Sequence, residues 1–379
     1  MRQELFCVRA RRSSTLLGKA RVTNPKVTLP IQNLIMQEDM NARGIILQPG
    51  TLLDRAIAIT QHALERGALV TIPTEYQFVE QQGVRFLVRT ATNLNRKDEA
   101  KQKQDRQNAT TDKDFNPFLP YDKNLYVADI SETHVCLLNK FNVVDCHLLL
   151  ITRAFEEQEA LLTLADFTAM WVCLAEFNGL TFYNGGKTAG ASQRHKHLQI
   201  VPLPLTPADF PQIPLEPLLV TTNRGTVETL PSLPFVHAFV QLEPIQTKSP
   251  QAAATVTLNY YYQMLNAVGL KHDIGSKNIQ AGAYNLLVTR QWMLLIPRSQ
   301  ESFESIAINS LGFAGTMFVR NDRQMQILKE LGPMRVLSQV GILKSESGVG
   351  SREEEDKGDK GDKGDKGELG DPATGGSGD

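Results

Sequence analysis

No stretch of this sequence approaches the ~20 uninterrupted apolar residues of a membrane span, so no association with a membrane is expected. An excess of one charge is also missing. There are 40 basic and 41 acidic side chains, for a net charge of −1. A general nucleic-acid binder needs a basic surplus to neutralise phosphates, so that class is set aside. A local basic pocket for a small anion remains open. Cysteine is scarce and scattered. Cys7, Cys136, Cys146 and Cys173 form no Cys-x-x-Cys pair, which suggests neither a structural zinc site nor a disulfide framework. A reducing compartment follows, and a cytoplasmic location is expected.

What is present is enough apolar material for a full core, 41% of 379 residues. The length fits one large domain or two ordinary ones. The ends read differently from the middle. Residues 1–45 begin with Arg2, Arg9, Arg11, Arg12, Lys19, Arg21 and Lys26 against Glu4, with Ser13, Ser14 and Thr15 among them. A disordered extension is the plain reading; organelle targeting by residues 1–30 is the alternative. Residues 346–379 carry glycine at every third place from Gly358 to Gly370, nearly without proline. Such a tract is too short and proline-poor for a triple helix and reads as a disordered tail. The fold is placed at 46–345, in two loosely parallel halves, 46–210 and 211–345.

Inside that span Thr51 reads as a helix N-cap with Asp54 as its capping-box acid, and Gly67 as the stop. Strand-like runs follow at 68–72 and 84–88, then a polar stretch at 94–124, then strands at 133–141 and 147–152. A second helix starts at Thr163, with Asp166 three places on, and ends at Gly179. Phe167, Met170 and Trp171 on it are core. A strand (180–184), a glycine-rich loop (185–194) and a strand (195–203) come next. The second half repeats the order loosely: a helix at 252–268, strands at 284–289 and 292–297, a loop at 308–315 and a strand at 316–319. This order predicts an α+β fold, an antiparallel sheet with packed helices.

The sharpest feature is His195-Lys196-His197-Leu198-Gln199. Side chains alternate along a strand, so His195, His197 and Gln199 share one face. Two histidines and a glutamine on one stripe are costly in a core, which points to function. The loop before them is Asn184-Gly185-Gly186-Lys187-Thr188-Ala189-Gly190-Ala191-Ser192-Gln193. Small residues let a backbone approach a ligand and turn N–H groups toward an anion. It is no Walker A loop: Thr181 stands where the first glycine would be, and a strand follows instead of a helix. A phosphate cradle leading into an imidazole suits attack on phosphorus, since histidine is neutral and nucleophilic near pH 7. A zinc site is the competing reading, with His134, His147 or His237 as third ligand. HExxH, CxxC and His-x-His-x-Asp-His are all missing, and no protein-held metal is expected.

The block NGGKTAGASQRHKHLQI, with LLNKF and HLLLIT upstream, resembles the diadenosine tetraphosphate phosphorylases (ATP adenylyltransferases) of the histidine-triad superfamily. The resemblance covers about residues 50–340. Galactose-1-phosphate uridylyltransferases are more distant relatives with proline between the two histidines, where this chain has Lys196. The resemblance implies a histidine-triad-like fold and phosphorolysis of diadenosine tetraphosphate to ATP and ADP through an adenylyl-histidine. It makes His197 the nucleophile, with His195 and His147 supporting it. Gln199 and Ser192 would hold the α-phosphate; Gly190, Ala191 and Gln193 would complete the cradle, and Asn184 would orient it. Asn139 and Lys140 resemble a nucleotide-binding pair, and Lys97 a cation for the distal phosphates. Asn309 with Gly312, Phe313, Ala314 and Gly315 resembles a second nucleotide contact. Arg320 stands where relatives carry lysine, and Asp145 and Cys146 depart from the family pattern. Expected partners are diadenosine polyphosphates, ATP, ADP and inorganic phosphate, with a divalent cation such as Mg2+ bound to the substrate phosphates and no organic cofactor. The chain is expected to be a monomer or small homo-oligomer. The alternatives are nucleotidyl transfer to a sugar phosphate and nucleotide binding without turnover.

Overall fold

The computed structural model describes residues 44–91, 116–244, 249–270 and 278–344. The expectations for residues 1–43, Lys97 and the 346–379 tail lie outside these. The described residues all fall in one compact unit. In chain order the described residues form α1 (Leu52–Glu65), β1 (Val70–Thr71), β2 (Glu75–Gln81), β3 (Val84–Thr90), β4 (Tyr126–Asp129), β5 (His134–Leu138), β6 (Phe141–Asn142), β7 (Leu148–Thr152), α2 (Leu164–Glu176), β8 (Gly179–Gly185) and β9 (His197–Pro202). Then come β10 (Ala238–Gln241), α3 (Pro250–Ala267), β11 (Tyr284–Val288), β12 (Trp292–Pro297), β13 (Ser302–Phe303), β14 (Ile306–Ala307), β15 (Thr316–Val319), α4 (Asp322–Leu331) and α5 (Pro333–Val340).

The main sheet has eight strands in the order β10-β12-β11-β8-β9-β7-β5-β4. Every neighbouring pair in it is antiparallel, as expected. Strands β7, β8, β11 and β12 are buried at every position, so both faces are covered there. On one face Leu148, Leu150, Leu198, Ile200, Leu286 and Leu295 join a core with α1, α2 and α3. On the other, Leu180, Phe182, Leu287 and Leu294 join a core with β3, β15, α4 and α5. Val135, Leu137, Leu149 and Ile151 instead pack with Phe118 in a small separate cluster. His197 pairs with Ile151, and Gln199 with Leu149 and Phe182. The two polar residues therefore lie on the seam between that small cluster and the second core.

Several details depart from expectation, among them the start of β9 at His197 where the strand was expected from residue 195. Thr51 makes no side-chain cap on α1. Its hydroxyl donates to Gln48 O at 2.7 Å, while the Glu176 carboxylate accepts from Gly50 N and Leu52 N at 2.8 and 3.1 Å. A full negative charge at the helix N-terminus outcompetes a hydroxyl for those amides. On α2 the capping box of Thr163 and Asp166 forms as read. Another departure is direction: β15 pairs with β3, and β1 with β6, in parallel. These partners are not joined by short turns, so hairpin geometry does not force them antiparallel. Helices α4 and α5 were not anticipated, although Asn321 caps the first, and Gly332 with Pro333 marks the second. No described helix is long and apolar enough to cross a membrane.

Candidate active site

The β8–β9 ladder ends at Phe182 opposite Gln199. Beyond it β8 pairs only with β11, where Asn184 faces Asn285. The split leaves room for the glycine loop, and His197 stands at its edge. His197 is 3% exposed. Its Nδ1–H donates to the main-chain carbonyl of His195 at 2.7 Å. That bond fixes the tautomer and leaves Nε2 as the unprotonated nitrogen. Burial pushes the imidazole pKa down to about 4, against the favourable pull of that carbonyl. The ring is neutral at physiological pH, with a nucleophilic lone pair on Nε2.

His195 is held differently. Its Nε2–H donates to Thr152 O at 2.8 Å, with Thr152 Oγ1 at 3.0 Å, and its Nδ1 accepts from Asn116 Nδ2 at 2.9 Å. Phe118 and Phe155 stand edge-on to the ring. Burial lowers its pKa too. Both ring nitrogens are occupied, so of the two histidines only His197 offers a free nucleophilic nitrogen.

His147, Asn139 and Gln199 are brought together. Asn139 Nδ2 donates to His147 Nδ1 at 3.2 Å, and His147 Nε2–H donates to Gln199 Oε1 at 2.9 Å. With its oxygen taken, the glutamine amide keeps its NH2 as the donor end. Lys140 is not part of this chain; its ammonium lies 5.9 Å from the ring of its neighbour Phe141. Cys146 sits just before His147 at φ 51°, a left-handed turn residue.

The loop differs in mechanism from expectation. Gly190 N donates to Lys187 O at 2.8 Å and Ala191 N to Gly186 O at 3.2 Å. These amides close the loop on itself instead of facing an anion. Gly190 has φ +91°, and a Cβ there would meet Asn309 Cβ and Ile308 O at 3.0 Å. Its value is a close approach between two segments. Exposed Ser192 and half-buried Gln193 follow, on the side of His195.

Asn184 and Asn309 serve the frame. Asn184 Oδ1 accepts from Asn285 Nδ2, Ser310 N and Ser310 Oγ at 2.9, 3.0 and 2.8 Å. Asn309 Oδ1 accepts from Leu311 N at 3.0 Å, capping the short turn Ser310–Ala314. Gly312, Phe313, Ala314 and Gly315 are all buried, and Phe313 packs edge-on to Phe235. Phe313 and Ala314 lie in an apolar core, and exposing Phe313 would forfeit that burial. Arg320 is exposed at the end of β15, its N–H donating to Gln324 Oε1.

Several residues escaped the sequence. Gln158 bridges the split strands. Asn285 and buried Arg298 bind Ala189 O, and Arg298 Nη1 also donates to Asn285 Oδ1 at 2.6 Å and Ile308 O at 2.9 Å. An amide inside the otherwise apolar YNLLV was a visible signal for Asn285. Gln158 lies in an acidic stretch without periodicity and gave none. Behind the site, Lys196 is fully buried, its ammonium donating to Asp166 Oδ2 at 2.7 Å and Glu156 Oε2 at 3.0 Å. Burial works to raise the Asp166 pKa, but His134 and Lys196 outweigh it and hold the carboxyl well below the usual range.

A family model of the Ap4A phosphorylase N-terminal domain matches residues 42–221, and one of the ATP adenylyltransferase C-terminal domain matches 231–343. Diadenosine 5',5'''-P1,P4-tetraphosphate phosphorylase 2 of Saccharomyces cerevisiae is 28% identical over 238 residues, 57% of this chain and 72% of that protein. Protein APA1 of the same yeast is 26% identical over 215 residues, 53% of this chain and 65% of that protein. The crystal structure of yeast Ap4A phosphorylase Apa2 in complex with AMP shares the fold, with a TM-score of 0.64 at 23% identity over 80% of this chain and 99% of that one. With both domain models side by side along one continuous sheet, the chain belongs to the Ap4A phosphorylase (ATP adenylyltransferase) family of nucleotidyltransferases.

Proposed function

We propose that the protein cleaves diadenosine tetraphosphate with inorganic phosphate to ATP and ADP, with His197 as the nucleophile. The observation that carries this is the tautomer lock: Nδ1–H is spent on His195 O, and Nε2 is left unprotonated in a buried, neutral ring. Family membership supplies the substrate class; the yeast Apa2 relative has been crystallised with Ap4A. In the first step Nε2 forms a bond to an α-phosphorus, the P–O bond to the triphosphate breaks, and ATP leaves. In the second a phosphate oxygen attacks the adenylyl-histidine, the N–P bond breaks, and ADP leaves with the electron pair returned to Nε2. Gln199, its oxygen anchored by His147, turns NH2 toward a non-bridging oxygen as charge develops there. Ser192 adds a hydroxyl from the loop, and Asn139 steadies the relay from behind.

Among the described residues, no cluster of three or more His, Cys, Asp or Glu could hold a metal. A divalent cation such as Mg2+ would bind together with the substrate phosphates. The deciding experiment is incubation with the dinucleotide, with and without phosphate, and chromatography of the products. ATP plus ADP that depends on phosphate is expected. ATP plus AMP without phosphate would make the protein a hydrolase. Tight binding with no labelled adenylyl-protein would leave a nucleotide-binding protein without turnover.

A further inference from the structure

Where β8 and β9 part, the main chain of His197 loses its partner strand on one side. The side chain of Gln158 fills that place. Gln158 is 2% exposed. Its Oε1 accepts from His197 N at 2.9 Å, and its Nε2 donates to His197 O at 3.2 Å and to Asn184 O at 2.9 Å. One carboxamide thus does what a peptide unit of a paired strand would do, and joins the two diverging strands. On the other side of β9, His197 still pairs with Ile151 of β7.

Gln158 is itself fixed at both ends of its peptide. Its N–H donates to Arg194 O at 2.6 Å. Its carbonyl accepts from the Tyr183 hydroxyl, which also donates to Ala160 O. Tyr261 OH accepts from Leu162 N and shares a hydrogen bond with Tyr284 OH. The three tyrosines are fully buried, and burial pushes each pKa up, so they stay neutral donors and acceptors. The segment holding Gln158 is therefore rigid. Lys196 N also donates to Glu156 O at 2.8 Å, which extends this surrogate pairing along 194–197.

We infer that Gln158 is a positioning residue for the group transfer, resting on the assignment of His197 as nucleophile: it sets the backbone from which the imidazole reaches phosphorus. It touches no substrate. Its effect is on the near-attack geometry, and a displacement of ~1 Å there can cost on the order of 10²-fold in rate. Both steps use the same Nε2, so both slow together, while dinucleotide affinity, set by groups elsewhere, holds.

The test uses full-length protein and dinucleotide labelled in the adenylate, with single-turnover rates, equilibrium binding and melting temperature for each variant. Gln158→Ala is expected to lose about 10²-fold in adenylylation and in phosphate-driven release, with binding changed little. Gln158→Glu gives the discriminating readout. Its carboxyl, raised by burial, when protonated can both accept from His197 N and donate to Asn184 O. Its rate should rise as pH falls through that pKa, whereas the native rate stays flat there. A merely structural role would give no such recovery, and it remains readable if Gln158→Ala does not fold. Native protein labelled on His197, with Gln158→Ala within threefold of native or Gln158→Glu flat with pH, overturns the inference alone. Native protein that never labels on His197 overturns the nucleophile assignment instead.

Discussion

His197 and His237 carry the same local device with opposite outcomes. Each donates Nδ1–H to the carbonyl two residues back, His195 O at 2.7 Å and Phe235 O at 2.8 Å. In His237 the other nitrogen accepts from Leu230 N at 2.9 Å, so the ring is a closed structural bracket. Among the described residues no main-chain amide caps His197 in that way, and its Nε2 is left for chemistry. His197→Ala should abolish the labelled adenylyl-protein, because His195 has both nitrogens committed. His195→Ala keeps the carbonyl that orients His197 and loses only the ring, so a fall of ~10² in single-turnover rate is expected, at the mild end for a supporting group. Label appearing on His195 would refute this order.

Burial lowers both His197 and His237 to about 4. Their unfolded values lie near 6.5, so as pH falls the unfolded chain takes up protons first. The stability that rests on neutral rings is intact above about pH 6.5 and is lost between there and about pH 4, by roughly 3 kcal/mol for each ring. Asp166, whose pKa is depressed, adds its loss as pH falls into and below the ordinary carboxylate range, where the unfolded carboxyl protonates first. Urea midpoints from pH 7 to 5 should fall, and His237→Gln should reduce that slope by about one proton. Adenylylation should keep its rate through pH 6, below the ordinary imidazole pKa. An acid limb centred at 6.5 would contradict the buried, neutral ring.

At the scale of elements, the glycine loop is a shaped connector more than a ring of donors. Gly190 sits at φ +91° against Asn309, and the N–H groups of Gly190 and Ala191 close the loop. Gly190→Ala should cost ~1–3 kcal/mol by backbone strain, plus the clash with Ile308 O. Because Ala189 O is tied to Asn285 and Arg298, the loop must move as a piece, and a loss of kcat larger than the loss of binding is expected. Helix α1 shows how a distant charge replaces a local cap. Glu176→Ala should destabilise by ~1 kcal/mol in urea unfolding, the usual size of a lost cap. Thr51→Ala should do less, since its hydroxyl bonds Gln48 O and no helix amide.

Across the whole molecule, the two matched regions are not separate bodies. β8 from the first pairs along five residues with β11 from the second, at the centre of the eight-stranded sheet. Asn184 and Asn285 lock that ladder, and Arg298 is buried across the same junction. Residues 44–344 should unfold in one calorimetric transition, and neither region expressed alone should fold, since each would expose a central sheet edge. Two resolved transitions would show that the seam is weaker than its contacts. Arg298→Met should be strongly destabilising, at ~1–3 kcal/mol for each buried acceptor left unpaired.

The sequence by itself determined the local things. Alternation put His195, His197 and Gln199 on one stripe, the Thr163–Asp166 box started a helix, and turn residues marked the loop before the histidines. These are set by chain neighbours and need no partner. Only the tertiary structure decided which histidine keeps a free nitrogen, because the groups that occupy His195 come from Asn116 and Thr152. It also buried Gly312–Gly315, gave α1 its cap from Glu176, and placed Gln158 in the gap between β8 and β9. Hydrogen bonds and burial between residues far apart in sequence leave no periodicity along the chain, and folding alone brings them within reach of each other.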